Sequence, residues 1–291
     1  MADWLDQLRL WELLRSAGRA VLFLLPFVVV VYALERRAGA DRARYRTFGF
    51  LNDVLYSLFY WGGFYNVLIF AALANLLAPY LAPIKLDLLA GLPWPAQLAF
   101  LWVVGDFFLY WVHRLQHRWA WLWAFHSVHH SQERLTALTA YRRHPVEKLI
   151  TDFAVFFVVL QLVLGIQTRQ WLPLTVIMTG LQALQHAELD WRYGWFERLV
   201  VSPAFHAIHH SPDPRHYTRN FGQMFSLWDF LFGTALEDAR PARYGVAGLD
   251  MAERVPDQLA APFRYLWRGY TTPPTPTAQA PDDAAAPRLR P

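Results

Sequence analysis

Residues 106–130 read DFFLYWVHRLQHRWAWLWAFHSVHH, and this run decides both the fold class and the chemistry expected of the chain. Asp106, Tyr110, His113 and His117 recur at intervals of four, three and four residues, which lays them along one face of a helix. Further on, His126 meets His129 and His130 on the following helical turn, while the adjacent pair diverges by about a third of a turn. Neighbouring rings set apart in this way can reach two different metal ions. Asp106, two turns before His113, is placed to accept a proton from a ligating ring and hold its tautomer.

The pattern returns downstream. QALQHAE at 182–188 offers His186, with Gln182 in the preceding turn, and SPAFHAIHHS at 202–211 repeats the second element as His206, His209 and His210. The nine central histidines 113, 117, 126, 129, 130, 186, 206, 209 and 210 are too many for one metal. An isolated HxxxH pair reads as core or surface packing, but two HxxHH elements joined to HxxxH are hard to explain in that way. Cysteine is absent, which excludes disulfides, thiolate metal sites, cysteine-ligated iron–sulfur clusters and cysteine nucleophiles. Imidazole suits iron, zinc and copper alike, so spacing alone does not choose the element. A structural zinc site takes four ligands, whereas two irons can activate O2 against an unactivated C–H bond of the kind that lipids carry. A redox diiron site is the favoured reading. A zinc-dependent membrane hydrolase, a transporter and a structural membrane protein binding partners through an aromatic cap stand as its alternatives.

The surrounding sequence supplies a lipid environment. Hydrophobic residues make up 55% of the 291 residues and gather in blocks of membrane-spanning length, at about 20–34, 55–77, 96–112, 149–166 and 172–184. The expectation is an all-α integral membrane helical bundle of four or five spans, the last two forming a tight hairpin, with a cytosolic helical cap carrying the histidine boxes. The net charge of +4 comes from Arg-rich segments between apolar blocks, which the positive-inside rule explains more simply than nucleic acid does. With 36–46 on the cytoplasmic side, every histidine-rich segment falls on that side too. Residues 1–19 read as an amphipathic segment at the interface rather than a cleaved signal peptide. Residues 20–270 form the membrane domain, with a histidine-box core at about 96–235, and 271–291 a disordered Pro/Ala-rich tail.

On these boxes the chain resembles the fatty acid hydroxylase and sterol desaturase superfamily of membrane diiron enzymes, over roughly residues 50–235. HRLQH at 113–117, HSVHH at 126–130 and HAIHH at 206–210 fall on that family's ligand boxes, and His186 on the ligand between the last two. The resemblance implies that all nine histidines ligate two iron ions. Relatives carry a further histidine four residues before His186, where this chain has Gln182; a water held by Gln182 or an open coordination position would follow, unless Gln182 is a plain helix residue. HHSQER at 129–134, YRRHPVE at 141–147 and HYTRNFG at 216–222 look like the bacterial branch that resembles alkylglycerol monooxygenase. His144, His216 and Asn220 in these stretches are expected to hydrogen-bond around the metals rather than ligate them. Glu133 and Glu188 are candidate outer carboxylates, with surface ion pairs as the alternative. Arg142, Arg143 and Lys148 read as interface anchors, with lipid-headgroup binding as a second role.

The activity implied is O2-dependent hydroxylation of a membrane lipid: a fatty acyl chain, ether lipid, sterol, hopanoid or carotenoid. Desaturation at the same site is the alternative. No dinucleotide fingerprint or iron–sulfur ligand set is present, so electrons are expected from an external ferredoxin, cytochrome or reductase, or from a tetrahydropterin. Arg and Ala richness with only two Lys suggests a GC-rich bacterial genome and hence an inner-membrane location.

Overall fold

The computed structural model describes residues 10–165, 171–237, 240–246 and 254–269, and every regular element among them is helical. Helix α1 (Leu10–Arg37) runs unbroken through position 19, so residues 10–19 of the expected amphipathic segment and the first apolar block are one helix. Helix α2 (Phe48–Trp61) opens with Thr47 Oγ1 accepting from the Phe50 N–H at 3.1 Å and closes at Gly62 and Gly63. A π-helical turn at Asn66–Phe70 and α3 (Ala71–Leu81) continue it, with the two arms bent by 50°. Helix α4 (Trp94–Arg118) follows.

Two helices, Leu14–Arg37 and Trp94–Arg118, are long and apolar enough to cross a membrane, and the bent pair makes a third if it counts as one span. Among the described residues, length and composition thus support two or three spans of the expected four or five. Helix α6 (Pro145–Thr151) passes into a π-helical stretch, Asp152–Val163. Helix α7 (Trp171–Gln185) has 15 residues, about 22 Å at 1.5 Å per residue, against a hydrocarbon layer of about 30 Å. The tip of the expected hairpin between them, 166–170, lies outside the described residues, as do 1–9 and the tail from 270. Leu22, Val29 and Val30 of α1 and Leu68 and Leu76 of the bent pair are exposed, an apolar surface suited to lipid.

The remaining helices are short: α5 (Ala120–His130), α8 (Pro203–His209), α9 (Leu227–Leu231) and α10 (Val255–Trp267). Leu101 and Leu109 of α4 bury against Val155, Leu160, Leu174 and Met224. Small residues on α7 admit α1 closely; a Cβ at Gly180 would stand 3.1 Å from the Phe27 ring. On the other side, Tyr265 of α10 packs against Ala120, Trp123 and Ala124 of α5.

One buried polar knot fixes the segment after α5. Asp53 of α2 accepts from Arg142 Nε (2.6 Å), Gln132 Nε2 (2.8 Å), Thr139 Oγ1 (3.0 Å) and Thr136 Oγ1 (3.3 Å). Arg142 also donates to the Gly49 carbonyl at 2.5 Å and is one of the largest fully buried side chains. It is a structural cation, not the interface anchor that its place in an RR pair suggested. Breaking a buried ion pair from one side costs about 3–5 kcal/mol. Asp53→Ala is expected to lower the Tm of the detergent-solubilised protein by many degrees; an unchanged Tm would remove this knot from the account.

Candidate metal centre

The turn between α4 and α5 brings the first two boxes face to face: Trp119 is extended (φ −106°, ψ 125°), so α5 folds back along the end of α4. The nine rings then divide into two groups, each with ligand atoms within 4.8 Å of one another. His113, His117, His126, His130 and His209 form one, and His129, His186, His206 and His210 the other. Each HxxHH element straddles the division. HSVHH sends its first and last rings to the five-membered group and its middle one across; HAIHH does the reverse. This follows from helix geometry, since positions i and i+4 share a face and i+3 is turned away from i+4 by about 100°. The groups meet where His130 stacks on His210, with ring centroids 4.6 Å apart.

Hydrogen bonds on the outer edge fix the tautomers. His113 Nδ1 donates to the Phe221 carbonyl (2.8 Å), His209 Nδ1 to Arg219 (2.8 Å), His186 Nδ1 to Gln182 (2.8 Å) and His129 Nδ1 to Arg142 (3.2 Å). His126 Nδ1 donates to Glu147 Oε1 at 3.0 Å. In these five rings Nε2 keeps its lone pair and faces inward. His113 Nε2 and His126 Nε2 then stand 3.1 Å apart, and His186 Nε2 and His129 Nε2 3.4 Å apart, with no proton left to bridge either pair. Two lone pairs at this distance repel unless a cation lies between them. Ligands bound at about 2.0–2.1 Å come to roughly this separation around one metal. The buried His117 Nε2 and His209 Nε2 have no protein partner at all. Nine imidazoles with no thiolate or carboxylate among them fit two borderline metal ions, one for each group.

A strap at 219–225 carries two of the outer acceptors, and buried carboxylates hold it. Asp229 accepts from the N–H groups of Phe221 and Gly222, both at 2.8 Å, and from Thr234 Oγ1 at 2.6 Å. Asp106 accepts from the N–H of Met224 (2.8 Å) and Phe225 (3.1 Å) and from Trp228 Nε1 (2.9 Å). Asp106 thus acts on the strap rather than on a ring proton, correcting the sequence expectation. The helix face it shares with His113 was read rightly, but seven residues set it too far along the axis to touch a ring. Tyr110 joins the same scaffold, its hydroxyl 2.9 Å from Thr234 Oγ1. Asn220 takes a left-handed backbone (φ 58°) and bonds the Phe205 and Leu236 carbonyls through Nδ2, which tethers the strap to α8. Gly222 is required here, since a Cβ would lie 2.6 Å from the Phe225 carbonyl oxygen.

The other candidates fall outside the two groups. His144 caps α6, its Nδ1 accepting from Val146 N–H at 3.1 Å while Nε2 faces the Leu259 carbonyl at 3.1 Å. Glu133 is exposed and contacts no ring, and Glu188, itself exposed, pairs with the buried Arg44. Neither is an outer carboxylate, because the turns after His130 and His186 point both away from the rings. His216 is buried in a short 3-10 turn without joining either group. Gln182 gives its backbone carbonyl to His186 and lines the neighbouring cavity. Sequence reasoning passed over Glu147 and Asp229 as site residues. For Glu147 the available signal was a lone acid in the first turn of an apolar helix.

Burial holds His126, His129, His130, His206 and His210 well below the ordinary histidine value, with neighbouring rings adding to the shift, and pushes His209 down to about 4. All are neutral at neutral pH. Burial raises Asp229 to about 6 in spite of the hydrogen bonds it accepts.

A cavity of about 380 Å³, walled by Phe70, Leu109, Phe156, Leu174 and Met178, approaches the rings through Gln182, hydrogen-bonded to His186, and Gln223, beside His113. The Gln223 amide lies 2.9 Å from His113 Nδ1, and since that nitrogen gives its proton to Phe221, the amide turns its oxygen rather than its nitrogen to the ring.

Residues 98–234 match the model of the Fatty acid hydroxylase family. Ornithine lipid hydroxylase OlsE of Rhizobium tropici is 33% identical over 178 residues, 58% of this chain and 53% of that protein. Alkylglycerol monooxygenase of Xenopus tropicalis is 30% identical over 165 residues, covering 53% of this chain and 33% of that protein. Methylsterol monooxygenase 2-2 of Arabidopsis thaliana is 33% identical over 145 residues, or 48% and 52%. The chain thus spans about half of the first and third of these relatives and a third of the second. The similarity is not confined to the alkylglycerol monooxygenase branch. No solved structure matches.

Removing the carboxylate behind a metal-binding histidine typically costs 10–100-fold in metal affinity. Glu147→Ala is expected to show such a loss in metal retention on dialysis against chelator, with Glu133→Ala unchanged; equal retention in both would contradict the role given to Glu147. The depressed histidine values also set a pH dependence. Below the unfolded value near 6.5 the unfolded chain binds more protons than the folded one, so stability present above that pH is lost as pH falls. The Tm of metal-free protein should fall steadily from about pH 6.5 towards the folded value of about 4 for His209; a flat profile across that window would contradict buried neutral rings.

Proposed function

We propose that this chain, whose histidine-box region belongs with the diiron fatty acid hydroxylase and sterol desaturase superfamily, is an O2-dependent hydroxylase of a membrane lipid. The observation that carries the reading is the division of nine inward-facing imidazoles into groups of five and four that share the His130–His210 stack. When bound, two irons on these groups would supply activation of O2 and removal of hydrogen from a lipid carbon. The chain's own residues hold the rings neutral and aimed, through Glu147 and the carbonyls of Arg142, Gln182, Arg219 and Phe221. The cavity keeps bulk water from the reacting carbon and presents a single C–H bond at the Gln182–Gln223 wall.

The substrate enters from the bilayer, since the cavity opens among the bent pair, α4, the π-helical stretch and α7. Names of relatives, an ornithine lipid hydroxylase and alkylglycerol monooxygenases, put polar membrane lipids first among substrates. Electrons come from an external ferredoxin, cytochrome or reductase, or from a tetrahydropterin if the alkylglycerol branch is the nearer one. We place the chain in the bacterial inner membrane with its boxes on the cytoplasmic side. In this arrangement α6 with its π-helical continuation and α7 complete four or five passes as a short hairpin.

The test is reconstitution of iron-loaded protein in membrane lipid with an external reductant and isotopically labelled O2. One labelled oxygen atom in a lipid product is the expected result. A lipid lacking two hydrogens, with label only in water, would reassign the site to desaturation. Turnover without O2 on zinc-loaded protein would replace the proposal with a hydrolase.

A further inference from the structure

The cavity beside the rings is apolar along most of its wall, yet one region of it is charged. Arg143, Lys148 and Asp152 all line it. Lys148 Nζ is neutralised by Asp152, with both carboxylate oxygens at 2.5 Å. The Arg143 guanidinium has no such partner: among the described residues no carboxylate pairs with it and no acceptor takes a hydrogen bond from it. Glu147, one turn along, is hydrogen-bonded to His126; it feels the Arg143 charge but makes no direct ion pair with it. Three hydroxyl groups line the same cavity: Thr151 is buried without a hydrogen-bond partner, and Tyr65 and Tyr141 have only loose contacts, to Asp152 and to Thr179 and Trp61. A cation with no hydrogen-bonded carboxylate, beside one orphaned and two poorly satisfied hydroxyls in a largely apolar cavity, is costly unless a ligand satisfies them.

Resting on the reading of the site as a lipid hydroxylase, we infer that Arg143 and the hydroxyls of Tyr65, Tyr141 and Thr151 bind an anionic head group of the lipid substrate, a carboxylate or phosphate. Guanidinium suits either group through paired N–H donors. The position also bears on which carbon reacts. Arg143 follows directly on the residue whose carbonyl orients His129 at 3.2 Å. The anionic end is therefore anchored close to the four-histidine group, and the carbon attacked lies near the head of the lipid rather than far along its chain.

The experiment uses the full chain in detergent and follows tryptophan quenching by dibrominated stearate and by the matching dibrominated alcohol. Trp61 lines the cavity, so Trp61→Phe identifies the quenching that comes from this site. The wild type should bind the stearate at least ten-fold more tightly than the alcohol. Arg143→Gln should abolish that difference while leaving alcohol binding in place, Arg143→Lys should keep part of it, and Met178→Trp, which fills the apolar wall, should weaken both ligands. Displacement of the stearate by hexadecyl phosphate but not by hexadecanol would make phosphate the preferred group; failure of the phosphate to displace it would make it carboxylate. Arg143→Gln that binds stearate as tightly as wild type, or that loses acid and alcohol alike, overturns the proposal. Turnover of the same samples separates the two claims: intact charge selectivity in protein that is active without O2 when zinc-loaded would sink the hydroxylase reading and leave the anion site standing.

Discussion

The structure depends on holding imidazole lone pairs against one another in a dry interior. His113 and His126, and again His129 and His186, meet Nε2 to Nε2 at 3.1–3.4 Å with their protons committed to acceptors on the far side. Neutral rings in this arrangement repel, and burial forbids relief by protonation or by water. Helix packing, the strap and the polar knot hold rings where a bound cation is the relief left to them. The outer acceptors are distributed accordingly: Glu147 on α6, carbonyls at Arg142 and Gln182, and two more on the strap pinned by Asp106 and Asp229. Displacing any of these would release a ring to turn its Nδ1 inward.

The distribution explains why so much of the chain serves a site of nine side chains. Asp53 lies far from the rings in sequence, yet by gathering Arg142, Thr136 and Thr139 it fixes the carbonyl that orients His129. Gly222 and Asn220 are positions of backbone geometry, and their effect is to aim the carbonyls beside them at His113 and His209. The bent pair opens the cavity on the side where the four-histidine group meets Gln182. Chemistry and access are thereby set on different faces of the same cluster.

Much of this was legible in the sequence because helical periodicity is a strong constraint. Intervals of three and four residues placed the rings on helix faces, and the divergence of adjacent histidines anticipated that each HxxHH element would divide its rings between two groups. The all-helical class and the long apolar helices could also be read. The span count was less legible, because the apolar blocks at 149–166 and 172–184 fold, among the described residues, as a π-helical stretch and a 15-residue helix that length and composition alone do not qualify as spans. Asp106 was selected by periodicity, but its partners are N–H groups more than a hundred residues away, which a local pattern does not encode. Glu147 and Asp229 were hidden for the same reason. Arg142 and Arg143 stand side by side in the sequence, yet one is locked in a buried ion pair and the other lines the cavity.

The central claim is that the rings form two distinct metal sites, one of five histidines and one of four. It is tested most directly by Mössbauer spectroscopy on isotopically enriched, iron-loaded protein, comparing wild type with His209→Ala and His206→Ala. The account predicts two inequivalent irons per chain in equal amounts and magnetically coupled, with the first substitution perturbing chiefly one signal and the second chiefly the other. A single iron environment, or two signals that respond identically to both substitutions, would contradict it.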